Sequence, residues 1–253
     1  MHLPEIDKYA HLDSAVHRWD ARVRIASLLA LLLAVVLAPT YPRALTGLAA
    51  AIVLLLASRI PILFVLVHVR WVLAFCAFLL IVMSLTAGGP AACSVGPVDL
   101  SREGLRLSGL ISVRALAAVL LIFPMLGTSP FHVSLRAMRR LRMPRVAVQI
   151  LSFSYRYVFV LFDELHTMVS AARARGFRRA RPVRRLGIAG NMLGMLMIRS
   201  LDRTSKVHRA MLARGYTGEI RTLDEFHVRP ADIAKGAAVL GLAAAIALVG
   251  VLM

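Results

Sequence analysis

The stretch that decides the fold is ILFVLVHVRWVLAFCAFLLIVMSLTA, at residues 62–87. It contains no acidic residue, and its two basic side chains, His68 and Arg70, lie in its first half. A helix needs about 20 predominantly apolar residues to cross the hydrocarbon core of a bilayer. A strand buried in a soluble protein is much shorter. The stretch therefore predicts a transmembrane helix.

Four further runs have the same apolar character, and the composition of the whole chain agrees with them. Hydrophobic residues make up 59% of the chain and charged residues only 17%, which is too little polar surface for a soluble domain of 253 residues. We therefore predict an all-α integral membrane protein with about five transmembrane helices. Besides 62–87, the predicted spans are 23–38, 44–57, 105–126 and 233–253.

The basic residues are distributed unevenly, and this predicts the orientation. The net charge is +18, and 21 of the 31 Lys and Arg residues lie between Arg136 and Lys235. Cytoplasmic segments of membrane proteins carry an excess of Lys and Arg. We expect the N-terminus and the basic segment to lie in the cytoplasm. The predicted regions are 1–126 (N-terminal tail and four spans), 127–231 (cytoplasmic helices) and 232–253 (last span).

The basic segment predicts about three helices rather than further spans. Residues 131–141 place apolar and basic side chains on opposite faces. Residues 145–175 repeat apolar side chains at steps of three and four. Residues 183–214 are apolar in their first half and polar in their second. Helices of this kind suit a position at the membrane surface, with one part on membrane helices and the other in the cytoplasm.

The two long helices of this segment end in the same way. The first ends in Ala174-Arg175-Gly176 followed by Phe177, and the second ends in Ala213-Arg214-Gly215 followed by Tyr216. A cation in the last turn and a glycine after it are also an ordinary helix ending. Two copies of one four-residue pattern on successive helices indicate more than a cap. They suggest two equal receivers, such as two subunits of a pseudo-symmetric partner.

With these paired endings the chain resembles the transmembrane T component of energy-coupling factor transporters, the EcfT/CbiQ family. Paired Ala-Arg-Gly motifs on cytoplasmic coupling helices mark that family. The N-terminal sequence is also similar to the opening of its CbiQ members. The matching residues are Ile6, Asp7, Ser14, His17, Asp20, Arg22 and Arg24, whereas Ala21 stands where the pattern has proline.

The resemblance implies a non-catalytic subunit without a cofactor, in a bacterial or archaeal cytoplasmic membrane. It implies that Arg175 and Arg214 insert into grooves on a dimer of CbiO-like ABC ATPases. Ala174, Gly176, Ala213 and Gly215 would then allow close approach. A substrate-binding membrane subunit, CbiM-like and with a CbiN-like companion, would complete the transporter. The CbiQ-like opening favours cobalt as the substrate, with nickel next, and a vitamin importer is the alternative.

Other functions have less support in the sequence. The eight histidines show no HxxxH spacing, so we predict no metal site in this chain. A membrane enzyme acting on anionic lipid would need a nucleophile with a base, or clustered carboxylates, and neither pattern occurs. The arginine-rich run beside the spans favours membrane lipid over nucleic acid. Arg114, inside the fourth predicted span, either contacts a partner or a substrate path, or extends its side chain to the outer membrane interface.

Overall fold

The computed structural model describes residues 12–86, 91–95, 98–141, 143–177, 181–218 and 229–248. These residues form helices and one two-stranded hairpin, and the chain divides into two compact units. The first unit comprises Met1–Arg142 with Glu225–Met253, and the second comprises Met143–Asp224. The helices are α1 (Ala21–Val36), α2 (Tyr41–Ser58), α3 (Ile62–Thr86), α4 (Arg102–Leu126), α5 (Phe131–Arg140), α6 (Arg145–Ala174), α7 (Pro182–Ala213) and α8 (Pro230–Leu248).

The prediction of an all-helical membrane protein is confirmed, with one addition. The segment between α3 and α4 contains the antiparallel strands β1 (Ala91–Val95) and β2 (Val98–Ser101). Ser94 lies opposite Asp99, and Val95 lies opposite Val98. Strands this short carry no clear alternation of apolar and polar residues, so periodicity did not reveal them.

Within the described ranges, five helices are long and apolar enough to cross a membrane: α2, α3, α4, α6 and α8. Four of them coincide with predicted spans. The first predicted span corresponds to α1, which has only 16 residues. The fifth helix that could cross a membrane is not α1 but α6, which has 30 residues and contains a sufficiently apolar stretch. The assignment of 127–231 to a cytoplasmic domain stays a prediction.

The core of the first unit forms around α1. Leu28, Leu31 and Val35 of α1 are fully buried, together with Leu121 of α4 and, almost completely, Ile246 of α8. Apolar side chains on the outside of α3 are exposed instead of buried: Leu63 is 78% exposed and Phe78 is 60% exposed. Apolar area exposed to water costs about 25 cal/mol per Å². A bilayer around α3 removes that cost.

A fully buried arginine ties three parts of the first unit together. Arg24 donates hydrogen bonds to the carbonyl oxygen of Val16, at 3.2 Å, and to Oγ of Ser129, at 2.6 Å. Val16 precedes α1 and Ser129 lies between α4 and α5. A buried charge is tolerated when such hydrogen bonds surround it. Helix α5 also packs against α1, so it belongs to the first unit.

Helices α3 and α4 approach each other closely at Gly104, and this contact can be tested. A Cβ atom added at Gly104 would lie 2.8 Å from Cα of Ser84, which is backbone and cannot rotate away. We expect Gly104→Ala to lower the free energy of unfolding by about 1–3 kcal/mol, as overpacking does. Thermal unfolding of the purified protein in detergent measures this.

Gly241→Ala on α8 is the matched control, because a Cβ atom there meets nothing within 4 Å. Its melting temperature should stay at or above that of the wild type, since alanine favours the helix. Equal melting temperatures for the two variants would contradict the packing of α3 on α4.

Candidate functional site

The second unit is built on two long helices, α6 and α7, that pass each other in opposite directions. Near one end, the side-chain amide of Gln149, at the start of α6, donates a hydrogen bond to the hydroxyl of Tyr216, just after α7. Near the other end, Val169 and Ala172 of α6 share an apolar pocket with Ala189 of α7. The start of each helix therefore lies beside the end of the other.

Two ion pairs hold the middle of this antiparallel pair. The carboxylate of Glu164 on α6 accepts a bond of 3.1 Å from Nη1 of Arg199 and one of 2.9 Å from Nη2 of Arg203. The Glu164 side chain is only 15% exposed. Charge-assisted hydrogen bonds of this kind are the stronger ones in proteins. We call Glu164, Arg199 and Arg203 the Glu164 clamp.

Sequence reasoning did not identify the clamp. Asp163 and Glu164 are adjacent, and adjacent helical residues point in different directions, so they do not form an acidic pair at one site. The sequence signal for the clamp lies on α7. Arg199 and Arg203 are four residues apart and so lie on one face of α7, where a single acid from a neighbouring helix can meet both.

The two Ala-Arg-Gly endings have the same backbone geometry. Arg175 and Arg214 are the last residues before a glycine with positive φ, +85° at Gly176 and +80° at Gly215. The N–H of Gly176 donates to the carbonyl of Arg173 at 3.1 Å, and that of Gly215 donates to the carbonyl of Leu212 at 3.0 Å. Glycine adopts this left-handed conformation without the strain of a side chain. Both helices thus end abruptly at the arginine.

All six residues of the two endings are exposed, whereas the aromatic residue after each glycine is half-buried. Phe177 lines the apolar pocket between α6 and α7, and Tyr216 accepts the hydrogen bond from Gln149. In the part of the second unit that the structure describes, the guanidinium groups of Arg175 and Arg214 form neither a hydrogen bond nor an ion pair. Each aromatic residue therefore anchors its helix end to the pair and leaves the arginine facing outward.

The antiparallel packing places the two arginines at opposite ends of the pair. Arg214 lies beside the start of α6, where Tyr216 contacts Gln149, and Arg175 lies at the end of α6. At about 1.5 Å per residue, the helix from Gln149 to Arg175 spans about 40 Å. The two endings are thus brought together in one unit but presented at two separate places.

The N-terminal residues of the sequence pattern lie elsewhere, in the first unit, and they hold its local structure. Oγ of Ser14 bonds Nδ1 of His17 at 2.7 Å. Asp20 caps α1 by accepting from the N–H of Arg22 at 2.9 Å. Arg24 is the buried residue described above. Ile6 and Asp7 lie outside the described residues.

Arg114 contacts protein in the first unit. Its guanidinium donates to the carbonyl oxygen of Ala38, just after the end of α1, and the residue is half-buried. The carbonyls of the last helical turn lack partners within their own helix. Arg114 therefore binds a carbonyl at the end of α1. Among the described residues, no group of three or more His, Cys, Asp and Glu side chains could hold a metal ion.

Together these features define a multi-pass helical membrane protein with a two-helix unit that displays two matching basic ends. Residues 13–223 match the CbiQ family, described as cobalt transport protein. The match covers most of the chain, so the chain belongs to this family, and the expected EcfT/CbiQ membership is confirmed.

Individual relatives agree with the family. The energy-coupling factor transporter transmembrane protein EcfT of Heliobacterium modesticaldum is 28% identical over 223 residues, which is 84% of each chain. The cobalt transport protein CbiQ of Rhodobacter capsulatus is 32% identical over 163 residues, 63% of this chain and 65% of the relative. An EcfT protein of Macrococcus caseolyticus is 23% identical over 225 residues, 85% of each chain.

The clamp generates a prediction for the second unit. Glu164→Gln replaces two charge-assisted bonds with one neutral acceptor, and a partly exposed ion pair contributes up to about 1 kcal/mol. We expect backbone amides of α6 and α7 near the clamp to exchange hydrogen about fivefold faster, because 1 kcal/mol corresponds to about that factor. Hydrogen–deuterium exchange with mass spectrometry measures it, and α1 to α4 should be unchanged.

Asp163→Asn is the matched control. It removes the same charge one residue away, from a carboxylate that forms no ion pair within the described part of the chain. Its exchange should remain close to that of the wild type. If both variants accelerate exchange equally, net charge rather than the clamp holds the two helices together.

Proposed function

We propose that the chain is the transmembrane coupling subunit of an ATP-driven importer. In this role it joins two CbiO-like ABC ATPase subunits to a CbiM-like substrate-binding membrane subunit, with a CbiN-like companion. The observation that carries the proposal is the pair of matching Arg-Gly endings, exposed at opposite ends of α6 and α7. Two matching helix endings about 40 Å apart suit two equivalent binding sites, one on each ATPase subunit.

Each ending is suited to enter a groove on an ATPase. The guanidinium carries five donors in a rigid fork, which matches carboxylates and carbonyls in a pocket. Ala174 and Ala213 precede the arginines, and a glycine follows each, so little side-chain bulk surrounds the guanidinium. A Cβ atom at Gly176 or Gly215 would meet nothing within 4 Å in the chain itself, which leaves room for a partner.

The clamp explains how the motion of two ATPases would be combined. Closure of an ATPase dimer on ATP displaces the two helix ends relative to each other. Because Glu164 binds both Arg199 and Arg203, the displacement changes the angle between α6 and α7 instead of separating them. Exposed apolar side chains on α7, including Met195 and Met197, would pass the change to the substrate-binding subunit.

The role is non-catalytic, since ATP hydrolysis belongs to the partner ATPases. ATP is a cytoplasmic substrate, so the second unit and the N-terminus lie on the cytoplasmic side of a bacterial or archaeal inner membrane. The excess of Lys and Arg in residues 136–235 supports this orientation. Cobalt is the favoured substrate, with nickel next, because of the family description and the Rhodobacter capsulatus relative. A vitamin importer is the alternative, because the partner subunit selects the substrate.

Co-purification with the ATPase tests the proposal. The ATPase is expressed with wild type, Arg175→Ala, Arg214→Ala and the double variant. Each single variant should weaken binding about tenfold or more, because an arginine anchor in an interface is worth about 2 kcal/mol. The double variant should lose the ATPase.

Arg173→Ala is the matched control, since Arg173 is exposed in the last turn of α6 but precedes the motif. It should retain the ATPase. Retention of the ATPase by the double variant would show that the endings are helix caps only. Equal loss with Arg173→Ala would show that general positive charge, and not the motif, attracts the partner.

A further inference from the structure

A polar cavity of about 610 Å³ lies at one end of the first unit. Three pieces of chain meet there: the segment before α1, the end of α2 and the start of α8. Four basic residues line it: Arg18, Arg59, Arg229 and Lys235. A cavity of this size is much larger than a single phosphate ion needs and lies in the range of organic-ligand sites, about 300–1,000 Å³.

The charges around the cavity are unbalanced. Two carboxylates, Asp13 and Asp232, face four cations. Asp232 is 4% exposed, and its Oδ2 accepts from the backbone N–H of Arg229 at 3.4 Å, so it serves the start of α8. The described residues of the wall therefore carry an excess of two positive charges.

Three of the four cations have no acceptor for their side chains among the described residues. Lys235 donates to the carbonyl oxygen of Ala15 at 3.4 Å. The guanidiniums of Arg18, Arg59 and Arg229 form neither a hydrogen bond nor an ion pair within the residues that the structure describes. Three forked donors on one cavity suit an anion with several oxygens, and phosphate has that geometry.

The position of Arg59 places the cavity at the boundary of the hydrocarbon core. Arg59 directly follows the last residue of the membrane helix α2 and adopts a left-handed conformation, φ +55°, that turns the chain towards α3. Leu56, one turn earlier and also in the cavity wall, is 58% exposed on the face that lipid covers. A basic pocket between spans at this depth lies where lipid phosphates are.

We propose that this cavity binds the headgroup of an anionic phospholipid, with the phosphate held by Arg18, Arg59 and Arg229. The acyl chains would leave past Leu56 along the outside of α2. The bound headgroup would link the segment before α1 to α2 and α8, and so would stabilise the first unit. This inference depends on the membrane bundle and not on the coupling role.

Binding is measured on the full chain, purified in neutral detergent, by titration with phosphatidylglycerol and separately with phosphatidylcholine. The readouts are native mass spectrometry for bound lipid and the melting temperature. Phosphatidylglycerol should bind and raise the melting temperature, and phosphatidylcholine should do neither. The triple variant Arg18→Gln, Arg59→Gln, Arg229→Gln should weaken phosphatidylglycerol binding at least about tenfold.

The control triple variant is Arg156→Gln, Lys206→Gln, Arg209→Gln, which removes the same charge from exposed residues of the second unit outside the arginine-rich run. This control should bind phosphatidylglycerol like the wild type. If the cavity triple variant does not fold, the single variants Arg18→Gln, Arg59→Gln and Arg229→Gln are measured in its place. Equal weakening in both triples, or equal binding of the two lipids, would overturn the proposal. So would full competition by inorganic phosphate, which would make the site one for free phosphate.

Discussion

The antiparallel packing of α6 and α7 is the constraint on which the account depends. Each helix ends in the same exposed Arg-Gly pair, and a parallel pair would present both arginines at one place. Because the helices run in opposite directions, joined by the Glu164 clamp and by the bond between Gln149 and Tyr216, the arginines face two places. The spacing of the two arginines is therefore built into the fold.

The residue after each glycine has a role that complements the arginine before it. A positive φ at glycine reverses the chain direction, so the next side chain returns to the helix pair. Phe177 and Tyr216 are large enough to anchor that return, and both are half-buried. The repeated four-residue pattern thus combines an exposed arginine, a turn and an anchor, which explains why the pattern has an aromatic in its last position.

Much of this could be predicted from sequence because it is encoded locally. Apolar length indicated the spans, and repetition indicated the paired endings. The contacts that organise the units join residues far apart in sequence: 105 positions separate Arg24 from Ser129, and 35 separate Glu164 from Arg199. Periodicity carries no information on such pairs. For the same reason, the packing of α5 on α1 and the basic cavity beside α8 emerged only from the three-dimensional structure.

The most direct test of the central claim is the distance between the two helix ends. Spin labels are attached at Arg175→Cys and Arg214→Cys, with Cys76 and Cys93 replaced by alanine, and double electron–electron resonance is recorded in lipid nanodiscs. We expect a distance of about 40 Å between the labels at positions 175 and 214, the length of α6 from Gln149 to Arg175. A distance near that of adjacent helices, about 10 Å, would place both arginines at one site and contradict two separate receivers.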